Sequence, residues 1–200
     1  MIDSTKQIDD ATPLDDISEL KLSNDKSYTL KEIYVHEANN IARATLKYLS
    51  ASPSKKLAPF SYEWFSKLHE DMFGNVWDWA GKFRHIELSI GIKAYQVPTA
   101  LKDLADDIAF WDKNRTFTIY ESATRIHHRA VQIHPFKNGN GRWSRMLANI
   151  YLRQNGYMPV KWQEELLSKE NPKRNEYIKA LKAADNGDYS TLIDMHKITY

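Results

Sequence analysis

Residues 134–142 read HPFKNGNGR, and Arg145 follows three positions later. This stretch constrains the fold more tightly than any other. Pro135 disfavours the α conformation for His134 and has no N–H to continue a turn, so a helix running up to Ile133 must stop there. Gly139 and Gly141 permit backbone angles that other residues resist. The chain then re-enters a helix at about Arg142. A helix start carries N–H groups with no intrahelical acceptor and attracts anions. Any fold of this chain must therefore hold a helix, a tight polar loop and a second helix in sequence.

The same residues carry chemistry. On the second helix Arg142, Arg145 and Asn149 fall at i, i+3 and i+7 and predict one polar stripe, with Leu147, Ile150 and Tyr151 turned to the core. Two guanidiniums beside an amide-lined turn suit a polyphosphate. His134, with an ordinary pKa of about 6.5, is then a general base beside it. Singly, each feature is commonplace: a His-Pro pair ends many helices, GNG makes ordinary turns, and two arginines often face solvent. Together they point to nucleotidyl or phosphoryl transfer.

Around this centre the chain reads as helical. Thr29, with Glu32 three residues on, predicts a capped helix over 29–48 with Ile33, Ala38, Ile41, Ala44 and Leu46 or Tyr48 near one face. Further helices are predicted over 62–73, with Gly74 as its stop, and over 99–111, 120–133, 142–155, about 162–168, 172–186 and 190–196. Residues 83–97 are rich in β-formers around a turn at 89–91 and predict a short hairpin. Residues 1–28 carry the turn signals Thr12-Pro13 and Ser23-Asn24-Asp25 and read as an irregular, loosely attached N-terminal arm. The expected fold is all-α with a small β-hairpin, in one domain over 29–200.

Composition narrows the function classes. An apolar content of 42% supports one core. A net charge of +2, with no long run of like charge, gives no reason to expect direct nucleic-acid or membrane binding. No apolar run approaches the ~18 residues of a membrane span, and the opening MIDSTKQIDD lacks a signal-peptide pattern, so the expected location is cytoplasmic. The absence of cysteine excludes disulfides, a thiolate nucleophile and cysteine-ligated zinc. His127, His128 and His134 have no carboxylate close in sequence to complete a metal site. His127 is expected in the core, and His128 in solvent. The tryptophans, including Trp77 and Trp79, are expected to support the core and the hairpin.

HPFKNGNGR with Arg145 resembles the signature of the Fic (filamentation induced by cAMP) domain, HPFx(D/E)GNGRxxR, and departs from it only at Asn138. MFGNVWDWAGKFR at 72–84 resembles the segment leading into that family's hairpin flap, and NEYIKALKAADNGDYSTL at 175–192 its closing helices. The resemblance thus covers residues 28–200. ATPLDD at 11–16, EANNI at 37–41 and RIHHRAVQIHPF at 125–136 are similar to the subgroup called mobile mystery protein B.

The resemblance implies a Fic-type helical bundle and a protein adenylyltransferase, with a toxin-like role by analogy. His134 would take the proton from a Ser, Thr or Tyr hydroxyl of a target protein, which attacks the α-phosphate of ATP. The backbone around Gly139, Asn140 and Gly141, with Arg142, would hold the phosphates, Arg145 would reach the distal ones, and Phe136 would anchor the loop. Leu88, Ser89, Ile90, Gly91 and Ile92 would dock the target's backbone as an added strand. Asn138 stands where Asp or Glu usually holds Mg²⁺ (or Mn²⁺), so one neutral oxygen replaces a carboxylate and metal binding should weaken. The family's inhibitory helix carries (S/T)xxxE(G/N), whose Glu pairs with the second motif arginine. This chain has no match. The resemblance then leaves an unrestrained enzyme, an antitoxin-like partner that supplies the Glu, or Glu37 acting through a degenerate pattern. Transfer of another group, such as phosphate or UMP, and a catalytically weak nucleotide- or peptide-binding module are the alternative functions.

Overall fold

The computed structural model describes residues 17–22, 28–162 and 172–198. Seven α-helices run through these residues: α1 (Leu30–Leu49), α2 (Tyr62–Phe73), α3 (Val97–Asn114), α4 (Ile119–Ile133), α5 (Asn140–Gln154), α6 (Pro172–Asp185) and α7 (Ser190–Lys197). The helix expected over 162–168 lies almost wholly outside the described residues, as do the turn signals Thr12-Pro13 and Ser23-Asn24-Asp25.

Local chemistry sets most helix ends. Thr29 and Glu32 form the expected reciprocal capping box at α1. Ser61 and Thr118 cap α2 and α4 by accepting from Trp64 and Glu121 N–H. Pro98 sits in the first turn of α3, where its missing N–H costs nothing. At the centre lies α5, against α4, α1 and α2. Every residue from Trp143 to Leu152 on α5 is buried, including Arg145 and Asn149. The expected polar stripe is therefore not a solvent face. Asn149 is satisfied inside the protein by a two-way clamp with Val160, donating at 2.8 Å and accepting at 2.9 Å. Trp143 is fully buried, and its indole N–H donates to the Phe65 carbonyl at 3.2 Å.

The buried face of α1 is Ile33, Glu37, Asn40, Ala44 and Tyr48. Ala38, expected inside, is exposed, and Leu46 is 68% exposed. Ile33, Ala44 and Tyr48 are buried as expected, but apolar spacing misses Glu37 and Asn40, which are polar and find partners elsewhere in the fold. Asn40 donates to the Asp71 carbonyl at 3.3 Å, and Glu37 reaches Trp77 and α5.

No strand pair forms over 84–93, so the expected hairpin is a loop instead. The β-pairing among the described residues is two single bridges, Leu20 with Trp77 and Phe83 with Phe136. Side chains take the hydrogen bonds a hairpin would use: the Arg84 guanidinium donates to the Ile86 and Ile92 carbonyls, and the Glu87 carboxylate accepts from Ala94 N–H at 3.2 Å. The end of the arm is also attached rather than loose. Lys21 N–H donates to Val76, Asp78 N–H donates to Glu19, each at 2.8 Å, and Glu19 pairs with Lys137.

Helices α6 and α7 pack together on Ala180, Ala184 and Leu192, and α7 docks on α4. His127 and His128 make this contact. Both are buried, contrary to the expected exposure of His128. His128 Nε2 lies 2.9 Å from Asp185 and Nδ1 3.2 Å from the Tyr189 hydroxyl. His196 Nδ1 donates to the Leu192 carbonyl at 2.7 Å, which leaves Nε2 to accept from His127 Nδ1 at 3.1 Å and His127 Nε2 to accept from the Tyr177 hydroxyl at 2.9 Å. The chain of bonds runs one way and requires both rings neutral. Burial holds His196 down to about 4 and His127 well below its usual range, with neighbouring His196, Arg145 and His128 adding to the effect on His127.

Candidate active site

Helix α4 ends as the proline requires. His134 takes the left-handed conformation, φ 51° and ψ 61°, a region in which His is tolerated better than most residues, and its N–H closes on the Ala130 carbonyl at 3.1 Å. Its ring is half-buried, with Nδ1 turned inward away from solvent. Burial, and then the Arg84 charge, lower its pKa to about 4, with the Val131 backbone acting partly against them. At neutral pH the imidazole is therefore uncharged.

The loop after it is pinned from below. Phe136 is fully buried between Trp143, Phe83 and His69, and its ring stacks on His69 at 3.6 Å and 4°. Gly81 N–H donates to His69 Nδ1 at 3.0 Å, so Nε2 carries the proton and donates to the Asn138 carbonyl at 3.0 Å. Burial lowers the pKa of His69 to about 3 and preserves that tautomer. The Asn140 side chain closes the loop: its oxygen accepts from Phe136 N–H at 2.9 Å, and its amide donates to the Phe136 carbonyl at 2.8 Å. With its side chain so engaged, Asn140 has its backbone N–H to offer an anion at the start of α5.

Gly139 has φ +76°, and a Cβ there would lie 2.7 Å from the Phe73 ring, so the turn demands glycine. Helix α5 begins immediately after, and the N–H groups of Asn140, Gly141 and Arg142 have no acceptor within the helix. The Arg145 guanidinium folds back across Gly141, 3.2 Å from where a Cβ would stand. Arg142 lies over the Phe73 ring at 4.8 Å and is ion-paired with Glu37 Oε1. Trp77 Nε1 donates to Glu37 Oε2 at 2.7 Å. The acid thus meets the first motif arginine, not the second that the family pattern implies.

Asn138 contributes little to a metal. Its side-chain oxygen already accepts from Gly139 N–H at 2.7 Å, and among the described residues no cluster of three acids or histidines could hold an ion. The residues present do not by themselves make a Mg²⁺ site. Leu88, Ser89, Ile90, Gly91 and Ile92 lie on the 84–93 loop, with Ile90 about half exposed and Gly91 backed onto His134. Beside this loop opens a cavity of about 480 Å³ lined by Tyr62, Lys82, Phe83, His85, Tyr95 and Pro98.

Sequence reasoning does not single out His69, Arg84 or Glu19, and it gives Trp77 only a supporting place in the core and hairpin. All but Glu19 lie in or next to the 72–84 segment it had marked, but nothing local signals that a charge such as Arg84 will be buried.

These elements define a class: a helical domain in which a neutral histidine at the end of one helix and a glycine turn lead into a second helix that opens with two arginines. The comparisons agree. Residues 59–152 match the Fic/DOC family, and the chain carries a Fic/DOC domain. The chain is similar to the protein adenylyltransferase Fic of Aedes aegypti, 29% identical over 149 residues, covering 72% of this chain and 28% of that protein. It is also similar to the protein adenylyltransferase fic-1 of Caenorhabditis elegans, 31% identical over 150 residues with the same two coverages. The chain therefore spans under a third of the curated relatives it matches. Among solved structures, Fic-1 from C. elegans superposes with a TM-score of 0.65 at 26% identity, over 87% of this chain and 49% of that one. The N-terminal Fic domain of a cell filamentation protein from Bartonella quintana, with bound ADP, superposes with a TM-score of 0.61 at 20% identity, over 89% and 87%. Among the described residues no helix is long and apolar enough to cross a membrane.

Proposed function

We propose that this chain is a protein adenylyltransferase that moves AMP from ATP to a Ser, Thr or Tyr hydroxyl of a target protein. One observation carries the reading: a histidine kept neutral by burial stands at the end of α4, one short loop from the unpaired N–H groups and arginines that begin α5. The triphosphate lies against the N–H groups of Asn140, Gly141 and Arg142, with Arg142 and Arg145 matching its charge. His134 Nε2 takes the proton of the target hydroxyl as its oxygen bonds to the α-phosphorus. The bond from that phosphorus to the bridging oxygen breaks, and pyrophosphate leaves. The imidazolium so formed lies beside Arg84, which favours its return to the neutral form. Mg²⁺ or Mn²⁺ would be held by the nucleotide's own phosphates, with Asn138 as the one motif side chain beside them, and would supply charge neutralisation there.

The backbone of Leu88, Ser89, Ile90, Gly91 and Ile92, a loop here rather than a strand, takes the target as an added strand, and the adjoining cavity takes its side chains. Glu37, held on Arg142, restrains nucleotide binding from within the chain. That favours built-in control over an antitoxin-like partner. The 11–16, 37–41 and 125–136 stretches support membership of the mobile mystery protein B subgroup.

The test is incubation with ATP labelled at the α-phosphate and Mg²⁺ or Mn²⁺, alone and with cell extract, beside His134→Ala. Label on a protein band that is lost in the mutant supports AMP transfer. Label only from the γ-phosphate or from UTP replaces the transferred group, and calorimetric ATP binding without any label identifies a binding module instead.

A further inference from the structure

Arg84 is a buried cation that forms no ion pair with a carboxylate among the described residues. Its guanidinium is satisfied by main-chain carbonyls from two segments. Nε donates to His134 at 2.7 Å and Nη2 approaches Ile133 at 3.5 Å, both at the C-terminal end of α4. Nη1 donates to Ile86 at 2.9 Å and Nη2 to Ile92, at the two ends of the loop. Its own N–H donates to the Pro135 carbonyl at 2.9 Å, next to the Phe83–Phe136 bridge. One side chain thus quenches the unpaired carbonyls of a helix end, where a cation is favoured, and closes the mouth of a loop.

A second observation shows how close these parts are. Gly91 has φ +97°, and a Cβ on it would lie 2.6 Å from His134 Cβ and 3.0 Å from Arg84 Nη2. The tip of the loop rests directly on the histidine, with Arg84 between its ends.

We propose that Arg84 is a positioning residue that locks loop 86–92 to the end of α4, so that a target strand docked on the loop arrives at a set distance from His134. This rests on the reading of His134 as the general base. A planar guanidinium with five donors can span these acceptors at once; a lysine ammonium, a single point of charge, cannot. Loop and base therefore move as one body. The same charge faces His134 and supports its neutral form.

Arg84→Met removes the donors and the charge, and Arg84→Lys removes only the fork. In the full chain, amide exchange over 86–92 should quicken by about tenfold or more in both variants, while amides in the middle of α5 stay protected. The His134 imidazole, followed by NMR, should titrate higher in Arg84→Met than in Arg84→Lys or wild type. kcat/KM for the protein target should fall by about tenfold or more in both variants, with calorimetric ATP affinity within about twofold of wild type. If Arg84→Met does not fold, exchange and kinetics of Arg84→Lys decide the matter. Wild-type exchange over 86–92 in Arg84→Lys, or a wild-type titration of His134 in a folded Arg84→Met, would overturn the proposal. Exchange and NMR do not depend on turnover. A protein that transfers no AMP would defeat the proposed function and still reveal whether Arg84 locks the loop.

Discussion

Replacing Glu37 should make the protein less stable and a better binder of ATP at once. Glu37 is 7% exposed, with one carboxylate oxygen on Arg142 and the other accepting from Trp77. Glu37→Gln keeps an oxygen for Trp77 and removes the charge facing Arg142. Removing one member of a fully buried ion pair costs about 3–5 kcal/mol. Arg142 keeps 28% of its side-chain exposure and lies on the Phe73 ring, so water and the ring recover part of this. The expected loss is about 1–2 kcal/mol, or roughly 2–8 °C in Tm for a chain of this length. Glu37→Gly also strips Trp77 of its acceptor and adds about 1 kcal/mol of helix penalty, so it should lose more. Nucleotide binding moves the opposite way. A phosphate must displace Glu37 from Arg142, and removing a competitor worth about 1–2 kcal/mol tightens binding by roughly 5–30-fold. Thermal unfolding and calorimetry with ATP on wild type and both variants read the two signs, and AMP transfer by Glu37→Gly should exceed wild type. Glu37→Gln that binds ATP no more tightly than wild type would refute the reasoning.

The remaining predictions use the same measurements. With His134 held near 4, kcat/KM should be flat from about pH 6 upward and fall with a midpoint of about 4; an inflection near the free-histidine value would show the base to be another group or an exposed ring. The His127–His196 relay must stay neutral, and its folded-state pKa values lie below the unfolded ones, so the unfolded chain binds more protons in acid. Stability is then complete above about pH 6.5 and lost as pH falls, by up to roughly 3 kcal/mol from His196 alone near pH 4. Urea titrations across that range should show the slope, and His196→Gln should flatten it; an equal slope in the variant would assign it elsewhere. Asn138→Asp supplies a second oxygen while one still accepts from Gly139, so Mg²⁺-ATP should bind more tightly, and an unchanged calorimetric affinity would reject that account.

Where the chain states its structure locally, the sequence was a sound guide. The Thr29–Glu32 box and the Pro135 stop each act within four residues, and both appear in the fold. Apolar spacing is a good guide on α2, where Trp64, Phe65, Leu68 and Met72 fall on one side of the helix and all turn inward. On α1 it placed Ile33, Ala44 and Tyr48 correctly, and on α5 Leu147, Ile150 and Tyr151, but it missed Glu37, Asn40, Arg145 and Asn149, which are inside with the core. Apolar period reads a buried polar residue as a surface one, since the partner that lets it be buried is not in the window. The β-forming residues 83–97 misled for a related reason: backbone groups that would have paired across a hairpin are held by Arg84 and Glu87.

The sequence alone determined that a helix ends at His134, that a glycine turn follows, and that a second helix opens with arginines one turn apart, because those are constraints of backbone angle and local capping. Only the tertiary structure decided that Glu37 meets Arg142, that His69 clamps the loop from beneath, that Arg84 joins loop 86–92 to the histidine, and that His127 and His128 hold the closing helices. Each of these is a polar contact across 50 or more residues, save for the 86–92 end of the Arg84 clasp. The residues carry the donors and acceptors, but which ones meet depends on how the helices pack, and that is a property of the whole chain.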